Sequence, residues 1–166
     1  NDGLVLPMTV AENVTLATLG QNSVAGLVSA RRERASAEAQ IRNLDIRPPS
    51  AGAITRFLSG GNQQKVVLGR WLAKKARAYL FDEPTVGVDV GAKSEIYALI
   101  HGLARDGAPV IVSSGDPAEL VGICDRIIVM IRGRVVTGLS TDGLTVDRLV
   151  AISTGAVEVG KGDDAN

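Results

Sequence analysis

The chain has 166 residues, 45% of them hydrophobic, which is enough apolar material for the core of one domain or a large part of one. Lys plus Arg equal Asp plus Glu at 18 each and aromatics make up 3%, so neither net charge nor a base-stacking surface argues for nucleic acid, and no charge excess points to an anionic membrane. The longest apolar runs, such as 127–131, fall far short of the ~20 residues that span a bilayer, no signal peptide is expected, and the single cysteine, Cys124, excludes an internal disulfide and fits a reducing compartment.

Residues 2–8 read as a loop or short extended segment, punctuated by Gly3 and Pro7. Thr9 and Glu12 have capping-box spacing, and an apolar helical run to Leu19 follows. Residues 20–29 read as a connection. Residues 30–44, rich in Ala, Arg and Glu, predict a helix. Its Arg31, Arg32 and Arg34 alternate with Glu33 and Glu38, which suits a solvated face better than a basic patch. Pro48, Pro49 and Ser50 end that unit. Residues 58–61 form a glycine-bearing turn that opens a helix over 62–75. Residues 78–81 are a short apolar run ending in two acids, the pattern of a buried parallel strand. A helix follows over 90–105, with Gly107 as its stop signal. Then come a strand over 109–113, a short helix over 117–122 and a strand over 126–131. Gly133 marks a tight turn into a last strand, 134–137, and 145–153 closes with a helix. From Gly155 onward the chain is small and polar, and a disordered tail is expected over 155–166. Strands alternating with helices imply an α/β layered fold with a largely parallel sheet, preceded by a helix-only segment over 9–56.

Two stretches carry chemistry. In Tyr79-Leu80-Phe81-Asp82-Glu83-Pro84-Thr85, two adjacent carboxylates end a buried strand. Burying ionised carboxylates costs several kcal/mol each unless they are paired or hold a metal. The carboxyl edge of a parallel strand is also where ligands bind in open α/β sheets. Asp82 suits Mg²⁺, directly or through water, and Glu83 suits orientation of an attacking water as general base. An acidic strand-to-loop turn closed by Pro84 would give the same pattern. In Leu58-Ser59-Gly60-Gly61-Asn62-Gln63-Gln64-Lys65, a Ser-Gly-Gly turn aims free backbone N–H groups above a helix N-terminus, where the dipole favours an anion and glycine allows close approach. An ordinary N-cap at Ser59 or Asn62 explains the same residues.

Taken together, in this order and about twenty residues apart, these stretches resemble the ATP-binding-cassette (ABC) family. Residues 58–62 look like its signature loop, Asp82 and Glu83 like its Walker B acids, and Gly87-Val88-Asp89 like its D-loop. Ser113-Ser114 falls where the family usually has a switch histidine. The strings Leu-Ser-Gly-Gly-Asn-Gln-Gln-Lys-Val and Asp-Glu-Pro-Thr-Val-Gly-Val-Asp-Val-Gly-Ala-Lys, with Val-Ser-Ser, look like the carbohydrate-importer branch, and the Ser-Ser pair resembles the second cassette of its tandem proteins. The resemblance spans residues 2–153. It implies an α/β fold, a partial P-loop NTPase-like cassette sheet with helices plus an α-helical subdomain, and no phosphate-loop strand. Residues 1–77 would be the segment after the Q-loop, the helical subdomain and the signature helix. Residues 78–154 would be the Walker B to switch-loop half of the ATPase core.

The resemblance further implies an ATP- and Mg²⁺-dependent ATPase subunit of a sugar importer, peripheral on the cytoplasmic face of a bacterial inner membrane. Its partners would be a second cassette, a transmembrane permease and, indirectly, a solute-binding protein, with no nucleic acid. Ser59, Gly60, Gly61, Asn62 and Gln63 would act in trans on ATP held by the partner cassette. Asp82 would organise Mg²⁺, Glu83 and Ser114 would serve catalysis at this cassette's own site, and Asp89 would bridge the two sites. A soluble cassette of DNA repair or translation is the alternative, disfavoured by the residues after the glycines and the zero net charge; an inactive truncated fragment is another. The phosphate-binding loop, the adenine-stacking aromatic and the Q-loop are expected before Asn1, and Gly115 stands where that branch usually has Glu. In the family the phosphate-loop strand lies between strands 126–131 and 109–113. Without it, a split sheet is expected, with a cleft lined by Val110, Val112, Ile128 and Met130. The lone His101 and Cys124 read as structural, Trp71 as a core or helical-domain contact, and Asp116 and Glu119 as acids favouring a helix N-terminus.

Overall fold

The computed structural model describes residues 3–157, so most of the expected tail lies outside the described residues. The first helix, α1 (Val10–Thr15), starts where the Thr9 and Glu12 spacing predicts. The Glu12 backbone N–H donates to Thr9 Oγ1 at 3.2 Å, and the Thr9 N–H donates to Glu12 Oε2 at 2.7 Å. The helix tightens into a 3-10 turn over Leu16–Thr18. The stretch read as a connection holds a small hairpin, β1 (Ser23–Val24) and β2 (Leu27–Val28). Its turn places Ala25 at φ 51° and Gly26 at φ 81°, the left-handed pair that a two-residue hairpin loop requires. Alanine gives no turn signal, so the hairpin is not legible in the sequence. Helix α2 (Ala30–Asn43) follows, and α3 (Gly60–Lys74) is capped by Ser59 and stopped by Lys75 at φ 52°.

These three helices bury one apolar cluster. Val10 and Val14 of α1, Ala37 and Ile41 of α2, Val66 of α3, and Ile46 from the intervening loop are all buried in it. A polar tie runs through the same core. Arg70 of α3 donates to the Asn13 carbonyl at 2.7 Å, to Asn13 Oδ1 at 2.9 Å and to the Gly3 carbonyl at 2.6 Å. Both side chains are buried, and burial lowers the Arg70 pKa from its ordinary value. Nothing in the sequence pattern singled out this pair. Trp71, expected as a core or helical-domain contact, is half exposed and lies outside the buried core.

The second half alternates strand and helix as read: β3 (Tyr79–Asp82), α4 (Val90–Arg105), β4 (Val110–Ser113), α5 (Pro117–Ile123), β5 (Arg126–Ile131), β6 (Arg134–Ser140) and α6 (Val146–Ser153). β3 and β4 pair in parallel, Tyr79 opposite Val110 and Asp82 opposite Ser113. β5 and β6 pair antiparallel, with a register shift between Val129 and Met130. The two pairs are separate sheets, and no ladder joins β4 to β5. The expected split is therefore present, while the largely parallel sheet is reduced to one parallel and one antiparallel pair.

Strand alternation decides which residues line the open side. Phe81, Val110 and Val112 point toward Leu68 of α3 and Ile96 and Ile100 of α4. Ile127, Val129 and Leu139 point toward Leu149 and Ile152 of α6. Leu80, Ile111, Ile128 and Met130 point the other way and are 72%, 65%, 61% and 61% exposed. The expected lining is thus right for Ile128 and Met130 and wrong for Val110 and Val112. A shift of one residue moves a strand side chain to the opposite face, and Ile111 takes their place.

Candidate functional site

The acidic pair stands at the carboxyl end of β3. Asp82 is the last residue of the strand, and Glu83 follows at φ 47°, a left-handed conformation that costs a non-glycine residue roughly 1–3 kcal/mol. The surroundings hold it there. The Glu83 N–H donates to the Ser113 carbonyl at 2.8 Å, extending the parallel ladder, and the Gly115 N–H donates to Glu83 Oε1 at 2.8 Å. Pro84, next in the chain, is fully buried. A Cβ on Gly115 would lie 3.3 Å from Glu83 Oε1, so glycine suits the close approach of this loop to the carboxylate.

Asp82 is exposed, and its carboxylate makes no hydrogen bond or ion pair among the described residues. Nor do the described residues contain any group of three or more His, Cys, Asp or Glu able to hold a metal ion. That combination fits Mg²⁺, which binds through one or two carboxylates and keeps its remaining positions for water and phosphate oxygens.

The loop after β4 meets the acidic loop through a buried carboxylate that the sequence reading assigned only to a helix terminus. Ser114 Oγ donates to Glu119 Oε2, and Thr85 Oγ1 donates to Glu119 Oε1 at 2.9 Å. Glu119 and Thr85 are both buried. The Ser114 oxygen also accepts the Asp116 N–H at 3.1 Å. Asp116 does cap α5, accepting the Ala118 N–H at 3.0 Å. Burial raises the Tyr97 phenol above its ordinary pKa, and the negative charge of Glu119 acts in the same direction. The only trace of this cluster in the sequence is a Ser and a Glu five residues apart across a helix start.

The glycine-bearing turn behaves as an N-cap with company. Asn62 Nδ2 donates to Ser59 Oγ at 2.9 Å, while Asn62 Oδ1 accepts the Arg47 N–H at 2.7 Å. Gln63 turns inward, donating to the carbonyls of Thr55 at 3.1 Å and Leu58 at 3.3 Å. Gln64 reaches the Pro84 carbonyl at 3.1 Å and so ties α3 to the acidic loop. A Cβ on Gly60 would lie 3.4 Å from the Gly87 carbonyl oxygen, and one on Gly61 would lie 3.2 Å from the Ala92 Cβ. Both glycines thus serve close packing against the 87–92 segment as well as leaving the helix end open. Asp89 caps α4, its Oδ1 accepting the Ala92 N–H at 2.9 Å. The fold gathers Glu83, Ser114, Gly115 and Thr85 into one network and packs the Ser59–Asn62 turn beside Asp89. No hydrogen bond joins Ser59 or Asn62 to Asp82, Glu83 or Ser114.

Three other features stay outside the site. A pocket of about 440 Å³ between α2, α3 and α4, bordered by the Lys65–Glu95 ion pair, lies away from the acidic loop. His101 is exposed on α4. Burial raises the Cys124 thiol above its ordinary pKa.

Residues 1–86 match a family model described as ABC transporter. The ribose import ATP-binding protein RbsA of Pseudomonas putida is 48% identical over 154 residues, covering 93% of this chain and 30% of that protein. The arabinose import ATP-binding protein AraG of Pseudomonas syringae pv. syringae is 45% identical over 153 residues, covering 92% of this chain and 30% of that protein. The chain spans about three tenths of the length of these relatives. Among solved structures, a dimeric post-hydrolysis state of an ATP-binding cassette bound to ADP and Pi matches with a TM-score of 0.72 at 28% identity, covering 85% of this chain and 60% of that one. An inward-facing metal-chelate type ABC transporter matches with a TM-score of 0.73 at 19% identity, covering 89% and 59%, and speaks for the fold alone.

Proposed function

The chain belongs to the ABC transporter family, and from that premise we propose that it is part of the ATP-hydrolysing subunit of a sugar importer. The observation that carries this reading is the pair at the end of β3: an unpartnered Asp82 beside a Glu83 held in a left-handed conformation by the loop after β4. Phosphoryl transfer asks a protein mainly for positioning and electrostatic stabilisation, and rigidly held loops suffice for both. Asp82 is the residue to hold Mg²⁺ through water. When bound, Mg²⁺ offsets the charge of the phosphates. Glu83 keeps one carboxylate oxygen on the Gly115 N–H and has the other to orient and polarise a water. Ser59, Gly60, Gly61, Asn62 and Gln63 form the helix end that meets ATP on a partner cassette: Ser59 supplies a hydroxyl, the glycines an open approach, and Asn62 and Gln63 hold the turn. Asp89, packed beside that turn, is placed to link the two sites. Ser114 belongs to the same machinery through its hold on the switch loop.

The remaining parts of the proposal concern cargo, partners and place. The relatives' ribose and arabinose import support a monosaccharide as cargo; a membrane permease as partner and a solute-binding protein as its feeder complete the proposal. The working place would be the cytoplasmic face of the inner membrane. No helix among the described residues is long and apolar enough to cross a membrane. The test is ATP turnover by the full-length polypeptide with its permease in proteoliposomes, with and without a panel of pentoses and hexoses. Turnover that rises with one sugar class supports the reading. Absence of ATP hydrolysis would overturn it, and hydrolysis indifferent to every sugar would overturn the cargo.

A further inference from the structure

We propose that Glu119 is a positioning residue for Glu83, clamping the acidic loop to the switch loop; the inference rests on the ATPase reading above. Its carboxylate is buried, yet its partners are not cations. One oxygen accepts the Thr85 hydroxyl at 2.9 Å and the other accepts the Ser114 hydroxyl. A carboxylate kept out of water is costly unless hydrogen bonds satisfy it, and hydrogen bonds to an ionised acceptor are about twice as strong as neutral ones. Glu119 therefore joins two loops that the parallel ladder alone links only up to Glu83 and Ser113.

The clamp brackets Glu83 from both sides. Thr85 is two residues after Glu83, with only the buried Pro84 between. Ser114 immediately precedes Gly115, whose N–H holds Glu83 Oε1. Glu83 sits at φ 47°, and a strained conformation persists only where its surroundings over-determine it. Released from Glu119, Thr85 and Ser114 would each be free to move, and the acidic loop would relax toward an ordinary backbone region. The water-facing oxygen of Glu83 would then lose its fixed aim. Ser114 is in turn engaged: its proton goes to Glu119 and its oxygen takes the Asp116 N–H. In this arrangement it acts as a tether of the switch loop, its one proton committed to Glu119.

The test is a double-mutant cycle on the full-length polypeptide with its permease, reading kcat and KM for ATP. Glu119→Ala should reduce turnover to the level of Glu83→Gln, with KM changed less than about twofold, and the double variant should equal either single variant. Glu119→Gln, which presents an amide donor to one of two hydroxyls, should fall between. Thr85→Val removes one hydroxyl at constant shape and carries the test should Glu119→Ala fail to fold; it should lower turnover in the wild type and not in Glu83→Gln. A Glu119 or Thr85 effect that persists in the Glu83→Gln background, or that appears in KM, overturns the proposal, as does wild-type turnover in Glu119→Ala. Ser59→Arg in the same assay separates this from the parent reading: if it leaves turnover intact, the proposed function fails whatever the cycle shows.

Discussion

The two halves of this molecule bury their apolar residues in different ways. In residues 3–77, three helices close around one cluster in which Val10, Val14, Ala37, Ile46 and Val66 have no exposure at all. In residues 78–157, each strand pair packs one face on helices and leaves Leu80, Ile111, Ile128 and Met130 open on the other. Helix α3 belongs to both, sending Val66 into the first cluster and Leu68 into the second. The half that carries Ser59 thus encloses a helical core of its own, tied to the other half through α3. The half that carries Glu83 offers unpaired strand edges and an apolar face, features that demand a covering strand or helix or else promote association.

Substitutions should register that contrast. The largest effect belongs to the polar tie of the first half. Arg70→Met would strip the buried Asn13 carbonyl and the Gly3 carbonyl of their guanidinium donor, leaving Asn13 Oδ1 to the Val5 N–H alone, and should cost about 3–5 kcal/mol in urea unfolding, at ~1–3 kcal/mol for each acceptor left without its partner. Next come two isoleucines with opposite surroundings. Ile46→Ala should cost ~2–5 kcal/mol, because the side chain is fully buried, whereas Ile111→Ala should stay within about 0.5 kcal/mol. Ile111→Lys should improve the solubility of the 166-residue chain; equal losses from Ile46→Ala and Ile111→Ala would break the contrast. Smallest is the capping box. Thr9→Ala should cost ~1 kcal/mol. Glu12, whose pKa is lowered first by the backbone hydrogen bond from Thr9 and then by its hydroxyl, should contribute stability above the ordinary glutamate range and lose it as pH falls through its folded pKa. A Thr9→Ala chain should therefore show a weaker loss on acidification than the wild type, measurable by urea midpoints between neutral and acidic pH.

Much of this was legible because local chemistry and global fold agree. Thr9 with Glu12 announced a helix start and Gly107 a helix stop that the structure keeps, and the strand over Arg126–Ile131 followed from its apolar run. The acidic pair stood out because two carboxylates after an apolar strand have few harmless explanations. Other features depend on contacts between residues far apart in sequence. Arg70 meets Asn13 across 57 positions, and Thr85 meets Glu119 across 34, so no period or motif betrays either. The hairpin at Ala25 and Gly26 escaped because alanine took a turn position without advertising it. The lining of the open face was misread by one residue, since alternation tells that faces differ and only packing tells which one is covered.

The comparison of halves is sharpest at the two residues that stand for them. Ser59 would serve ATP on a partner cassette and Glu83 the chain's own site, where Ser114 is already engaged by Glu119. The direct measurement is sugar-coupled ATP turnover of the full-length protein with its permease, comparing Ser59→Arg with Glu83→Gln. The account predicts that Ser59→Arg abolishes turnover while Glu83→Gln leaves a substantial part of it. Equal and complete loss from both substitutions would contradict it.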